Sequence, residues 1–81
     1  MNNSDDVIYD VLARVLDEES LEPVPIRHDA RLIDDLGLRS LHIARVLALL
    51  ELALDRDPFG SGQVPITRVQ TVGDLCAAYA P

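Results

Sequence analysis

Sulfur and aromatic residues are scarce in this 81-residue chain, which has one cysteine, one phenylalanine and no tryptophan. Because Cys76 has no cysteine partner, an internal disulfide is excluded, and we expect a reducing, cytoplasmic location. Aromatic residues make up 4% of the chain and apolar residues 48%. The core must therefore be aliphatic, which favours an all-α bundle over a β-sandwich. At this length we expect one domain, residues 1–81, without a deep catalytic cleft.

Long apolar runs and clusters of cations are also missing. No basic segment precedes an apolar run at the N-terminus, as a secretion signal would require. The most apolar stretch, Leu41–Leu54, is too short to span a bilayer, so we expect no membrane association. Seven arginines and no lysine stand against 14 acidic residues, which gives a net charge of −7. This balance argues against nucleic acid as a partner, since phosphate binding needs clustered cations.

Two amphipathic segments lie near the two ends of the chain. Apolar residues recur at helical spacing over Ser4–Glu18, with Ser4 as the expected N-cap and two aspartates in the first turn. Near the C-terminus, Thr71 and Asp74 have the spacing of a capping box. They precede a stripe of four residues at helical spacing, namely Val72, Leu75, Cys76 and Tyr79. Both segments are predicted to be helices that pack against the core.

The middle of the chain predicts a long loop followed by an unusually apolar helix. From Ser20 to Asp35 prolines interrupt helical structure, and a single turn is expected over Arg31–Leu36, held to the core by Leu32, Ile33 and Leu36. The next helix, Ser40 to about Leu54, is apolar on nearly every side. An 81-residue domain cannot cover such a helix completely. We therefore expect part of an apolar set to be accessible to a partner, the set being Leu41, Val46, Leu47, Leu49 and Leu52.

A second loop follows, and a short helix is expected before the last one. Asp57-Pro58 and Gly60-Ser61-Gly62 predict turns, with Phe59 returning the loop to the core. Pro65 suits the first position of a short helical turn over Pro65–Val69.

Ser40 stands where the loop meets the apolar helix. We expect it to cap that helix with its hydroxyl near solvent, at a position where free N–H groups and the helix dipole favour an anion. Gly37 supplies backbone freedom for a tight approach to the helix. The serine is thus a candidate for carrying a phosphate ester, although serine is also a common N-cap with no further role.

Two blocks of this sequence resemble the acyl and peptidyl carrier proteins. Asp35–Leu41 reads Asp-Leu-Gly-Leu-Arg-Ser-Leu, similar to the family's attachment motif of Asp-Ser-Leu after Gly-Leu. Val69–Leu75 reads Val-Gln-Thr-Val-Gly-Asp-Leu, similar to the Thr-Val-Gly-Asp-Leu that opens the last helix of acyl carriers. The resemblance implies a four-helix bundle with three longer helices and a short third one. Ending just after the last helix, the chain is expected to be a free-standing carrier and a monomer.

The resemblance also implies a function without catalysis. Ser40 would carry 4′-phosphopantetheine, transferred from coenzyme A by a phosphopantetheinyl transferase. The thiol of that group would hold an acyl or aminoacyl intermediate as a thioester and present it to biosynthetic enzymes, in polyketide or mixed polyketide/nonribosomal peptide biosynthesis. The Gly37-Leu38 pair is of the acyl type, whereas Arg45 matches a position where peptidyl carriers commonly have arginine, so both cargo classes remain open.

The chain departs from acyl carriers where partners would dock. The residue before the serine and those two and five after it are usually acidic, and here they are Arg39, His42 and Arg45. Residues 1–38 carry all of the net negative charge, whereas residues 39–81 have four acids and four arginines. We therefore expect dedicated synthase or acyl-transferring enzymes with acidic or apolar contacts. The expected docking residues are Arg39, Leu41, His42, Arg45, Val46 and Glu51.

Other candidate sites are weaker. His28 and His42 are far apart and lack further metal ligands at suitable spacing, so no metal site is expected. Asp34 and Asp35 are better explained as a solvated turn than as an acid–base pair. Cys76 lies on the apolar stripe of the last helix, as a buried thiol would. The alternative to a modified carrier is an unmodified carrier-like module that binds proteins through its apolar second helix.

Overall fold

The residues that the structure describes contain three α-helices. The computed structural model describes residues 3–19, 25–60 and 68–80. Within them α1 spans Asn3–Glu18, α2 spans Ser40–Leu54 and α3 spans Val72–Ala78. The described ranges contain no strand, which confirms the all-α class. The expected short helix before α3 falls largely outside the described residues.

Helix α1 forms one wall of the core. It begins at Asn3, one residue before the predicted start, and has Asp5 and Asp6 in its first turn, where the helix dipole favours negative charge. The predicted apolar stripe is confirmed, since five of its residues are buried: Ile8, Val11, Leu12, Val15 and Leu16. No helix in the described ranges is both long and apolar enough to cross a membrane.

The loop before α2 supplies as many core residues as a helix would. Four of its side chains are buried, namely Ala30, Leu32, Leu36 and Leu38. Backbone hydrogen bonds hold it against the start of α3, among them those from the Leu32 N–H to the Gln70 carbonyl and from the Val72 N–H to the Ala30 carbonyl, both at 2.9 Å. The loop thereby contributes to the same core as the helices.

The single turn expected over Arg31–Leu36 is present, but one of its predicted anchors is not. The Asp35 and Leu36 N–H groups both donate to the Arg31 carbonyl. Leu32 and Leu36 lie four residues apart on the inner side of this turn and are buried. Ile33 is 60% exposed because the turn directs the next side chain away from the core, so its predicted role as an anchor is wrong.

The C-terminal part of the core closes around α3. The Thr71 hydroxyl accepts the Asp74 N–H at 3.1 Å, and the Asp74 carboxylate accepts the Thr71 N–H at 3.1 Å, which confirms the capping box. The predicted stripe of Val72, Leu75, Cys76 and Tyr79 is buried. Phe59 packs edge-on against Tyr79 with ring centroids 5.9 Å apart, and thus returns the second loop to the core as predicted.

Candidate functional site

A left-handed glycine leads the chain into α2. Gly37 has φ of +75°, a region that side chains with a Cβ rarely adopt. No neighbouring atom lies within 4 Å of the place where its Cβ would be, so backbone conformation alone favours glycine here. The following residue, Leu38, is buried and fixes the segment to the core.

Ser40 is the first residue inside α2, and the N-cap is Arg39. Arg39 has extended backbone angles, φ −106° and ψ 173°, and its carbonyl accepts the Ile43 N–H at 2.9 Å. The prediction that Ser40 itself caps the helix is therefore wrong by one position. The serine is exposed, as expected, and lies in the first turn. The N–H groups of that turn have no carbonyl partner within the helix.

The side chain of Arg39 cannot satisfy those N–H groups. A guanidinium has only donors, so the acceptor that an N-cap side chain normally supplies is absent. The reverse half of a capping box is present, because the Arg39 N–H donates to His42 Nδ1 at 3.0 Å. The start of α2 therefore offers an anion both free N–H groups and an adjacent cation.

Two of the three basic residues expected to dock partners contact the end of α1. The Arg45 guanidinium donates to the Glu18 carboxylate, and His42 Nε2 lies 3.7 Å from Glu19 Oε2. Arg39 forms no ion pair within the described residues. The charge of Arg45 is thus offset by Glu18, and His42 lies beside Glu19, so Arg39 is the cation that α1 leaves unpaired.

The outward face of α2 is apolar. Leu41 is 80% exposed and Leu52 is 83% exposed, while Ala44 and Ala48 between them are also exposed. These four residues lie on one side of the helix, and the exposed Glu51 borders them. We call this row of Leu41, Ala44, Ala48 and Leu52 the α2 stripe. It confirms that part of the apolar set predicted for this helix is accessible.

Val46 is not part of any accessible surface. It is 2% exposed and packs in the core beside Leu50. Its place on the helix, six residues after Ser40, turns it toward α1 rather than outward. Its predicted role in docking is therefore wrong, because a partner cannot contact it in this arrangement.

A shallow groove lies beside the start of α2. It has a volume of about 450 Å³ and runs between the Arg31–Asp34 turn, α2 and the segment before α3. Its apolar lining includes Ile33 and Ile43, and Ile43 lies one helical turn after Ser40. The exposed position of Ile33, which places it at this groove, was not predicted.

The weaker candidates take the structural roles expected of them. Asp34 Oδ2 lies 3.3 Å from Arg31 Nη1, and Asp35 Oδ2 accepts the Arg31 N–H at 2.7 Å, so both aspartates stabilise an exposed turn. Cys76 is free and buried. No group of three or more His, Cys, Asp or Glu side chains in the described parts of the chain is arranged to hold a metal ion.

Comparison with known proteins agrees with this architecture. No protein-family model and no curated protein matches the chain. A solved structure does: the solution structure of MacpD, an acyl carrier protein from Pseudomonas fluorescens involved in mupirocin biosynthesis. The two chains are 37% identical, with a TM-score of 0.74, over 94% of this chain and 69% of MacpD. This chain belongs to the acyl carrier protein family.

Proposed function

We propose that this carrier holds 4′-phosphopantetheine on the Ser40 hydroxyl. The observation that carries the proposal is the position of that hydroxyl: exposed, in the first turn of α2, and directly after the Gly37-Leu38 turn. The surroundings fit the phosphodiester that such a linkage contains. Arg39 leaves the first N–H groups of the helix without a side-chain acceptor and adds a cation of its own, and both favour an anion.

The attachment would be a transfer from coenzyme A. The Ser40 oxygen would form a bond to phosphorus while the bond between that phosphorus and adenosine 3′,5′-diphosphate breaks, and the serine proton would pass to a base on the transferase. Asp34 and Asp35 are engaged with Arg31. The chain therefore offers neither of these carboxylates as a general base, and a separate phosphopantetheinyl transferase would supply one.

Once attached, the group would supply a thiol that holds an acyl or aminoacyl intermediate as a thioester. The role of the chain itself would be presentation rather than catalysis. Tethering one intermediate to one residue raises its effective concentration at each enzyme that binds the carrier.

We further propose that the pathway is polyketide or mixed polyketide/nonribosomal peptide biosynthesis. The support is the likeness to MacpD, which is involved in mupirocin biosynthesis. Partner enzymes would bind the α2 stripe together with Arg39 through apolar and acidic contacts. His42, Arg45 and Glu51 flank this surface, and the first two already contact α1. The carrier would work as a monomer in the cytoplasm.

One observation favours a second candidate, an unmodified protein-interaction module. Arg39 stands where the attachment motif has aspartate, and the α2 stripe could bind a partner without any prosthetic group. The two candidates differ in one covalent bond, so a mass measurement separates them.

The test is the intact mass of the protein after incubation with coenzyme A and a broad-specificity phosphopantetheinyl transferase. The wild type and a Ser61→Ala control should each gain one phosphopantetheine unit, and Ser40→Ala should gain none. If the wild type gains nothing, or Ser40→Ala gains as much as the wild type, the assignment to Ser40 is wrong. In the first case the unmodified module becomes the better description.

A further inference from the structure

The side chain of His42 connects the backbone before Ser40 to the end of α1. Its Nδ1 atom accepts the Arg39 N–H at 3.0 Å. Its Nε2 atom lies 3.7 Å from Glu19 Oε2, and the side chain is only 16% exposed. The imidazole therefore lies between two polar groups, one near each of its nitrogens.

The two contacts require one tautomer. An N–H group can donate only to a nitrogen that carries a lone pair, so Nδ1 must be unprotonated. The hydrogen of the neutral ring then resides on Nε2, and the nearby Glu19 carboxylate favours it there. A carboxylate on one side of a histidine commonly sets the tautomer that acts on the other side. At 3.7 Å this is an electrostatic preference rather than a hydrogen bond.

His42 occupies the capping-box position that glutamate or glutamine normally holds. In that motif the third residue of the helix accepts the N–H of the N-cap residue. Asp74 does this at the start of α3, where it accepts the Thr71 N–H. At the start of α2 the N-cap side chain accepts nothing, so His42 provides the side-chain capping hydrogen bond.

We propose that His42 is a positioning residue for Ser40, and that Glu19 holds it in the accepting tautomer. By fixing the Arg39 N–H, the imidazole orders the peptide unit between Leu38 and Arg39, one residue before the serine, and so sets where the Ser40 hydroxyl is presented. Its effect on modification rests on the proposed function. Its effect on the backbone does not.

The backbone effect is tested by NMR on the unmodified protein. At mildly alkaline pH, the ¹⁵N shifts of His42 should show hydrogen on Nε2 and a lone pair on Nδ1. Glu19→Gln should increase the population of the other tautomer. Hydrogen on Nδ1 in the wild type would overturn the proposal, because the Arg39 N–H would then have no acceptor. An unchanged tautomer ratio in Glu19→Gln would overturn the role of Glu19.

The consequence for Ser40 is tested with a matched pair of variants. His42→Asn keeps an acceptor close to the position of Nδ1, whereas His42→Leu has similar bulk and no acceptor. Exchange of the Arg39 amide hydrogen should accelerate about three- to tenfold in His42→Leu, the effect of one ordinary hydrogen bond. The kcat/KM for phosphopantetheine transfer should fall by a similar factor, and His42→Asn should restore both toward wild-type values.

Equal transfer rates for His42→Leu and the wild type would overturn the positioning role, as would a failure of His42→Asn to restore them. Circular dichroism of both variants checks that the helices are retained. If the wild type is not modified at all, the proposed function fails, whereas the amide exchange and the tautomer still test the backbone contact. The two failures are therefore distinguishable.

Discussion

The guanidinium of Arg45 on α2 is paired with the carboxylate of Glu18 at the end of α1. The two residues are 27 positions apart. The pairing joins the helix that carries Ser40 to the acidic half of the chain. It also means that a cation predicted to meet partners is already engaged within the protein, which changes what substitutions at Arg45 should do.

A double-mutant cycle measures this pair. Glu18→Gln, Arg45→Gln and the double variant should show a coupling of about 0.2–1 kcal/mol in the free energy of unfolding, the range of exposed ion pairs. The coupling should shrink at about 1 M salt, where the screening length is near 3 Å. Urea denaturation provides the measurement. A matched cycle of Arg45→Gln with Glu51→Gln should show no coupling, and equal couplings in both cycles would contradict the pairing.

Arg39 should be the cation that selects the partner. Arg39→Asp supplies an N-cap acceptor and should stabilise α2 by about 0.5–2 kcal/mol, yet it should weaken transfer from an enzyme with acidic contacts. Arg39→Asn supplies the same acceptor without a negative charge and separates the two effects. Arg45→Glu should affect transfer less, because Arg45 is already paired with Glu18. Thermal denaturation and transfer kinetics measure the two outcomes. Unchanged transfer in Arg39→Asp would contradict a selective role.

Truncation of Leu50 and of Leu52, both on α2, should have very different effects on the free energy of unfolding. Leu50 is fully buried, and Leu50→Ala should lower the free energy of unfolding by about 2–5 kcal/mol, since it leaves a cavity. Leu52 lies two residues further and is exposed, so Leu52→Ala should change that free energy by no more than about 0.5 kcal/mol. Urea denaturation compares them directly. Similar losses for both would mean that the α2 stripe is covered within the protein.

The capping box of α3 should make the stability of the protein depend on pH. The Asp74 carboxylate accepts hydrogen bonds from the Gln70 N–H, which has the larger effect, and from the Thr71 N–H. Both favour its ionised form and lower its pKa below the ordinary value of 3.8. A carboxyl whose pKa is lower in the folded state stabilises the protein fully above the pKa of the unfolded chain. That contribution is lost as the pH falls through the folded pKa. Asp74→Asn should therefore be less stable at neutral pH, and the difference should narrow below about pH 4. Parallel stability curves for the two proteins down to low pH would contradict this.

Local patterns predicted what depends on local physics. The stripe of α1, the capping box of Thr71 and Asp74 and the burial of Cys76 all follow from spacing within one helix. The position of Ser40 was predicted one residue off because Arg39 caps the helix with its backbone alone, and no propensity favours arginine there. The burial of the Val46 side chain could not be predicted, since an all-apolar helix shows no preferred buried face in its sequence.

The contacts of the site that were missed are long-range. Glu18 and Glu19 sit in an ordinary acidic helix end, and nothing nearby in the sequence relates them to Arg45 or His42. Their pairing depends on how α1 lies against α2, which is a property of the assembled core. The role of His42 as an acceptor was also hidden, because histidine seldom occupies the capping-box position that glutamate or glutamine usually takes. The exposure of Ile33 likewise follows from the loop's hydrogen bonds to the start of α3.

The burial of Cys76 makes its thiol unreactive in the folded protein. Burial, with a smaller contribution from the nearby Asp5 carboxylate, raises the pKa of the thiol to about 11. Only about one molecule in a thousand would hold it as a thiolate at pH 8, and the thiolate is the form that reacts. A thiol on the proposed prosthetic group would have no competitor in the folded chain. Acyl exchange and thiol-directed labels would then act on the prosthetic group alone. Labelling of Cys76 would indicate that the protein has unfolded.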